Sequence, residues 1–235
     1  VNSLGRRLLP LLLLTLSAGC AALKPERRVA LGDEGFRVQR LLVLPVMLPF
    51  RTCPEDIDKR ARKEELTFSL TSEVVNNLKP RGYTVVPALI NPDLLDPKQP
   101  FNRDLAQRLC TGGVLAELPA SVVENAKSQA KRFKADQVLV GGVARMRWHL
   151  KLAVDADNGS VGDHASEFDV RAVAALYDVA SGRVVWSEFV DQRFFTGTYE
   201  DAVSRVLLFD QVRNRDPHEK LFYDFPLHEG APPVK

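Results

Sequence analysis

Eight residues, Leu41-Leu-Val-Leu-Pro-Val-Met-Leu48, decide the fold. A strand with one wet face alternates apolar and polar residues, whereas a short, nearly continuous apolar run predicts a strand buried on both faces. Pro45 and Pro49 mark its far end. Downstream of Pro54 the pattern becomes helical. Residues 55–63 are highly charged and predict exposed first turns, and Phe68, Val75 and Leu78 fall along one face, flanked by Leu70 and Val74. Pro80-Arg-Gly82 stops that helix, and Tyr83-Thr-Val-Val-Pro87 predicts a second strand. Strand, helix and strand in so short a span make a βαβ-like unit, whose two strands are parallel.

Further along, three prolines between residues 91 and 101 predict a loop, and residues 102–110 a short helix ended by Gly112-Gly113. Pro119 suits a helix N-terminus. The helix after it, 120–133, places Val122, Val123, Ala126, Ala130 and Phe133 toward the core. Residues 137–143 predict a third core strand, with Gly141-Gly142 as a bulge. Met146, Trp148, Leu150, Leu152 and Val154 then alternate with Arg145, Arg147, His149 and Lys151, giving one apolar and one basic face. Residues 167–177 predict the returning strand. Pairing Lys151 with Asp169 would set opposite charges across the hairpin. Ala180-Ser-Gly182 turns the chain into a further strand to about Phe194, completing an antiparallel meander. Residues 199–212 predict a final amphipathic helix, and 213–235 a polar, proline-rich tail with Phe222, Tyr223 and Phe225 as its anchors. The expected fold class is therefore α/β (α+β): a mixed β-sheet with a βαβ start, an antiparallel C-terminal meander and flanking helices, in a single domain over 36–212.

The N-terminal end carries an address. Arg6-Arg7 precede an apolar run from Leu8 to Leu16, which ends in Ser-Ala-Gly-Cys20. That is the layout of a secretory signal peptide over 1–19, and the run is about half the roughly 20 apolar residues a membrane-spanning helix needs. The small residues ending at Cys20 resemble the lipobox of bacterial lipoproteins. The resemblance implies that Cys20 is acylated and becomes the first residue of the mature chain, with residues 20–35 as lipidated cysteine and tether. Each buried methylene contributes about 0.8 kcal/mol, so several acyl chains hold durably where one holds reversibly. Ala21, where the family uses Asp for inner-membrane retention, implies the periplasmic face of the outer membrane.

Composition narrows the function. Loss of Arg6 and Arg7 brings the 32 basic residues to 30 against 30 acidic, a neutral mature chain. That balance argues against nucleic acid as a partner and against a polybasic lipid-binding tract. With Cys20 acylated, Cys53 and Cys110 remain as an even pair in an oxidising compartment. They are candidate disulfide partners, and a bridge closing so long a loop contributes about 4 kcal/mol in the entropic model. Two separate buried thiols are the alternative. Asp155-Ala-Asp-Asn-Gly159 falls short of a calcium loop in its glycine position and lacks the twelfth-place Glu. His149, His164, His218 and His228 have no metal-ligand spacing. No nucleophile elbow, P-loop or dinucleotide fingerprint occurs. The expectation is no catalytic residue, no metal and no cofactor.

Four phrases carry a family resemblance: Leu42-Val-Leu-Pro45, Lys79-Pro-Arg-Gly-Tyr-Thr-Val-Val86, Ala135-Asp-Gln-Val-Leu-Val-Gly141 and Ala175-Leu-Tyr-Asp-Val-Ala-Ser-Gly-Arg-Val-Val-Trp-Ser187. Over residues 37–210 the chain resembles the curli-secretion lipoproteins and the related lipoprotein activators of penicillin-binding proteins, with a TolB-N-terminal-like fold. The resemblance implies a mixed sheet flanked by helices, a periplasmic location and no catalysis. The expected role is a non-enzymatic binding or assembly module. Its partners are the membrane, through the lipid, and another envelope protein. A self-oligomerising component of a secretion apparatus is the alternative.

Overall fold

The computed structural model describes residues 26–31, 40–48, 63–79, 82–87, 96, 98–151, 165–195 and 225. Six strands form one mixed sheet: β1 (Glu26–Leu31), β2 (Arg40–Val43), β3 (Thr84–Pro87), β4 (Gln137–Lys151), β5 (Ala165–Asp178) and β6 (Arg183–Phe195). Their order across the sheet is β1-β6-β5-β4-β2-β3. The β3, β2 and β4 strands run parallel, and β4, β5, β6 and β1 run antiparallel to their neighbours. Among the described residues three helices flank it: α1 (Lys63–Leu78), α2 (Pro100–Thr111) and α3 (Ala120–Phe133). This is the α/β class read from the sequence, with its βαβ start and antiparallel meander.

The deciding strand is buried on both faces. Leu41 and Val43 belong to the core under α1, while Leu42 and Leu44 belong to the core under α2 and α3. Pro45 cuts β2 short because it has no N–H to give the ladder. Pairing with β4 continues through Leu44 N–H to Leu139 O (3.0 Å) and resumes at Met47, whose N–H donates to Gly141 O at 2.9 Å. Between them the Val46 N–H donates to Thr71 Oγ1 of α1 at 2.9 Å, and that hydroxyl donates to Thr67 O. The buried threonines of α1 thus complete the backbone bonding of a strand that proline interrupts.

Those threonines also rotate α1 away from the expected face. Leu66, Leu70, Val74 and Leu78 make the buried i, i+4 row, with Thr67, Thr71 and Val75 beside it. Phe68, about 200° from Leu70 around the helix, is 58% exposed rather than core. Helix α3 buries the residues its spacing predicts, with Val122, Ala126 and Ala130 in the core and Val123 and Phe133 packed against it. Gly112, at φ 72°, ends α2 as expected.

The two predicted segments 137–143 and 145–154 are one strand. The bulge sits at Ala144, between Val143 and Arg145, and not at the glycine pair. It reverses the phase of β4. Leu139 and Val143 face the α1 core before it, and Met146 does after it. The glycines serve close approach instead: Met47 bridges to Gly142, and Val143 N–H donates to Met47 O at 2.9 Å.

At the ends one expectation is corrected and one is met. Residues 26–31 are not tether but the edge strand β1, paired antiparallel with β6 from Glu26↔Asp191 to Leu31↔Trp186. Three charged residues in six hid it, yet edge strands tolerate charge because one side faces no further strand. Phe225, assigned to the polar tail, is 2% exposed in the α1-side core, edge-on to Trp186 and Tyr83. Its role as anchor stands. The helix expected over 199–212 and the hairpin tip of 152–164 lie outside the described residues.

Candidate functional site

The site residues read from sequence divide unevenly. Cys20 and Cys53 lie outside the described residues. Cys110, in the last turn of α2, is disulfide-bonded, and the remaining cysteines of the chain are those two. Among the described residues no group of three or more His, Cys, Asp and Glu is placed to hold a metal ion.

The structure assembles a polar site on β4, β5 and β6. Register aligns Arg145 with Arg171, and Arg171 with Asp191. One row further, Arg147 faces Asp169 and Asp169 faces Arg193. The predicted pairing of Lys151 with Asp169 is therefore wrong, since Lys151 lies opposite Ala165. The ladder inherits its register from the core, where Val138, Leu139 and Val140 must bury, and a one-residue slip would turn every side chain over. The single bulge at Ala144 then sets the pairing of the outer half.

Asp191 is the hub of this grid. Arg171 donates to its Oδ2 through Nε at 3.0 Å and Nη2 at 2.7 Å. Arg145 Nη1 donates to its two oxygens at 3.4 and 3.3 Å and stands 3.8 Å from Asp169 Oδ1. The four side chains are 12–21% exposed, so their attraction is stronger than that of a surface pair. The Arg171 guanidinium also lies 5.7 Å over the Phe189 ring, which places the grid on the α2–α3 side of the sheet. The basic face of β4 was legible in the sequence. Its counter-charges on β6 were not, because no local pattern says which residues a third strand brings alongside.

The grid sits beside a second polar device. Ser187, fully buried on β6, accepts the Leu115 N–H at 2.7 Å and donates to Ala174 O at 3.0 Å. Arg108 of α2 donates to Gly112 O and Val114 O at 3.2 and 3.0 Å. Together they pin the loop between α2 and α3 to the sheet. At the surface between those helices, Ser121 donates to Asp104 at 2.6 Å. That hydrogen bond and then Arg103 hold the Asp104 carboxyl below its usual range.

Both guanidinium groups bound to Asp191 are committed to carboxylates, so the grid orders three strands rather than offering a free charge. Asp191→Ala removes the carboxylate that Arg145 and Arg171 share across the three strands. The expected cost is about 2 kcal/mol, read as a lower urea midpoint. Asp191→Asn, which keeps the acceptor oxygen, should lose less.

No protein-family model matches the chain, and no curated protein matches it. Among solved structures the chain is similar to the PelC dodecamer from Paraburkholderia phytofirmans, at 18% identity, covering 77% of this chain and 89% of that one with a TM-score of 0.41. It is also similar to the lipoprotein GNA1162 from Neisseria meningitidis, at 17% identity, 71% and 93% coverage and a TM-score of 0.39.

Proposed function

We propose that this protein is a lipid-anchored module of the bacterial envelope that acts by binding a partner, without catalysis. The observation that carries the reading is the twin-arginine flank, apolar run and Ser-Ala-Gly-Cys20 ending, set five residues before the first strand. The acylated Cys20 holds the domain at the periplasmic face of the outer membrane. The described part of the molecule is built for rigidity: a sheet packed on both faces and a half-buried ion grid. Such a scaffold presents surfaces and loops to another envelope protein. Cys53 is the partner of Cys110 on this reading, because acylation removes Cys20 from thiol chemistry.

The test is Cys20→Ser, carried behind a signal that ordinary signal peptidase removes. The variant should leave the membrane fraction almost completely and fold as before. Full membrane retention would sink the anchor. The second reading is a self-oligomerising secretion component, favoured by the length of the β4–β5 hairpin, which runs on after β4 has lost its pairing with β2. Crosslinking the native protein in intact cells separates the two. A ladder of self-adducts closing at one size supports the assembly, and a dominant adduct with another envelope protein supports the binding module.

A further inference from the structure

We infer that the end of the sheet where β2 and β4 begin is a docking surface for an acidic segment of another protein. The inference deepens the reading of the molecule as a binding module, on which it rests, by naming the chemistry of the partner. It comes from charges that no single stretch of sequence displays together. Register sets Leu41, Gln137, Asp178 and Arg183 in one row across β2, β4, β5 and β6. Arg40 stands one residue outside that row. Its N–H donates to Asp136 Oδ2 and its O accepts from the Asp136 N–H, each at 2.9 Å. Helix α3 brings Lys131, Arg132 and Lys134 to this end, directly before Asp136. Helix α1, on the other face, brings Lys79, whose O accepts the Gly82 N–H in the turn before β3, and β3 opens with Thr84 opposite Arg40.

Six cations from four separate segments thus meet at one end, and all six are exposed. Among the described residues none of them forms an ion pair. The two described acids beside them are engaged with the backbone. Asp136 holds the Arg40 N–H, and Asp178 accepts from the Ser181 N–H at 2.7 Å and from Gln137 Nε2 at 3.2 Å. Helix stability accounts for only part of the set. Cations in the last turn of α3 complement its macrodipole, but Arg40 and Arg183 lie on strands, whose net dipole is small. The Arg132 guanidinium lies 5.6 Å over the Phe133 ring, which orients it while its planar fork of donors stays open to a carboxylate. The full chain is near neutral, with 32 basic and 30 acidic residues, so its long-range attraction to a broad anionic surface such as a bilayer is weak. Nor does a large exposed apolar side chain stand here to enter a bilayer. Among the described residues Phe68 is the one such side chain, about 16 Å along α1 from Lys79. A local excess of charge on a near-neutral chain instead complements a local acidic segment, whose several pairs set orientation and register.

The experiment uses the full chain in a neutral detergent and a fluorescein-labelled oligoglutamate peptide, with binding read as anisotropy at low salt. The parent chain should bind, and binding should fade as ionic strength rises. Lys131→Gln/Lys134→Gln on α3 and Arg40→Gln/Arg183→Gln on the sheet should each weaken it about tenfold, two exposed pairs being lost at a time. Lys98→Gln/Arg103→Gln removes the same charge at the start of α2, where Asp104 meets Ser121 at the other end of α3, and should stay within about twofold. A loss confined to one of the two test pairs would reduce the surface to that element and overturn the composite site. If the peptide does not bind and the Cys20→Ser chain sediments with phosphatidylglycerol vesicles, this end belongs to the membrane and the inference is wrong. If neither binds, the surface fails while the module is judged separately by crosslinking in intact cells. A dominant adduct with another envelope protein that persists in both test variants would keep the module and move its docking face elsewhere.

Discussion

Gly142→Ala is expected to destabilise the fold by about 3 kcal/mol or more, at the upper end of what overpacking costs. A Cβ there would fall 2.7 Å from Leu109 Cδ1 and 3.1 Å from the Met47 carbonyl carbon, and closer still to the Met47 oxygen. None of these can give way cheaply. Met47 is held on both sides, its N–H donating to Gly141 O and its oxygen accepting from Val143, each at 2.9 Å. Leu109 is fully buried on α2. The substitution would force the segment after β2, the middle of β4 and α2 apart at once. Gly113→Ala is the control: a Cβ there meets nothing within 4 Å, and only its φ of 82° opposes the change, at a cost of about 1–2 kcal/mol. Urea unfolding should show the Gly142 variant's midpoint falling well below the control's with the slope unchanged. Equal midpoints would mean that the close approach of Met47 is not maintained in solution.

That glycine shows where the sequence could be read and where it could not. The run 41–48 announced a doubly buried strand because its composition leaves no polar face to put in water. The 145–154 alternation and the Ala180-Ser-Gly182 turn announced the meander for equally local reasons. What was missed depends on distant partners. The glycine pair looked like a bulge, and only the segment after β2, crossing at Met47, reveals the close packing that demands it. Phe68 looked buried because Thr67 and Thr71, which hold the true face, read as polar. Strand β1 has no apolar alternation of its own and is organised by the free edge of β6. In the polar site, Arg145 and Asp169 were visible as charges on facing strands, but the hub at Asp191 required knowing the β5–β6 register.

Phe225→Ala is expected to cost about 3–4 kcal/mol, the range for truncating a fully buried aromatic. The ring is 2% exposed. It stands edge-on to Trp186 at 4.8 Å and 78°, and to Tyr83 at 5.6 Å and 62°, arrangements that add to simple burial. Trp186 and Tyr83 lie on β6 and just before β3, far apart in sequence, so a residue near the C-terminal end closes the core beneath α1 across most of the sheet. Alanine would leave a cavity beside Trp186, the largest fully buried side chain among the described residues, and admit water to its indole. The readout is tryptophan emission in a Trp148→Phe background, where Trp186 reports alone. Phe225→Ala should shift that emission to the red and lower the urea midpoint together, and Phe225→Leu should recover part of both. An unshifted emission with a native midpoint would mean that the tail does not dock there. In that case Trp186 must be covered by another part of the chain, and the domain would not need its last residues to fold.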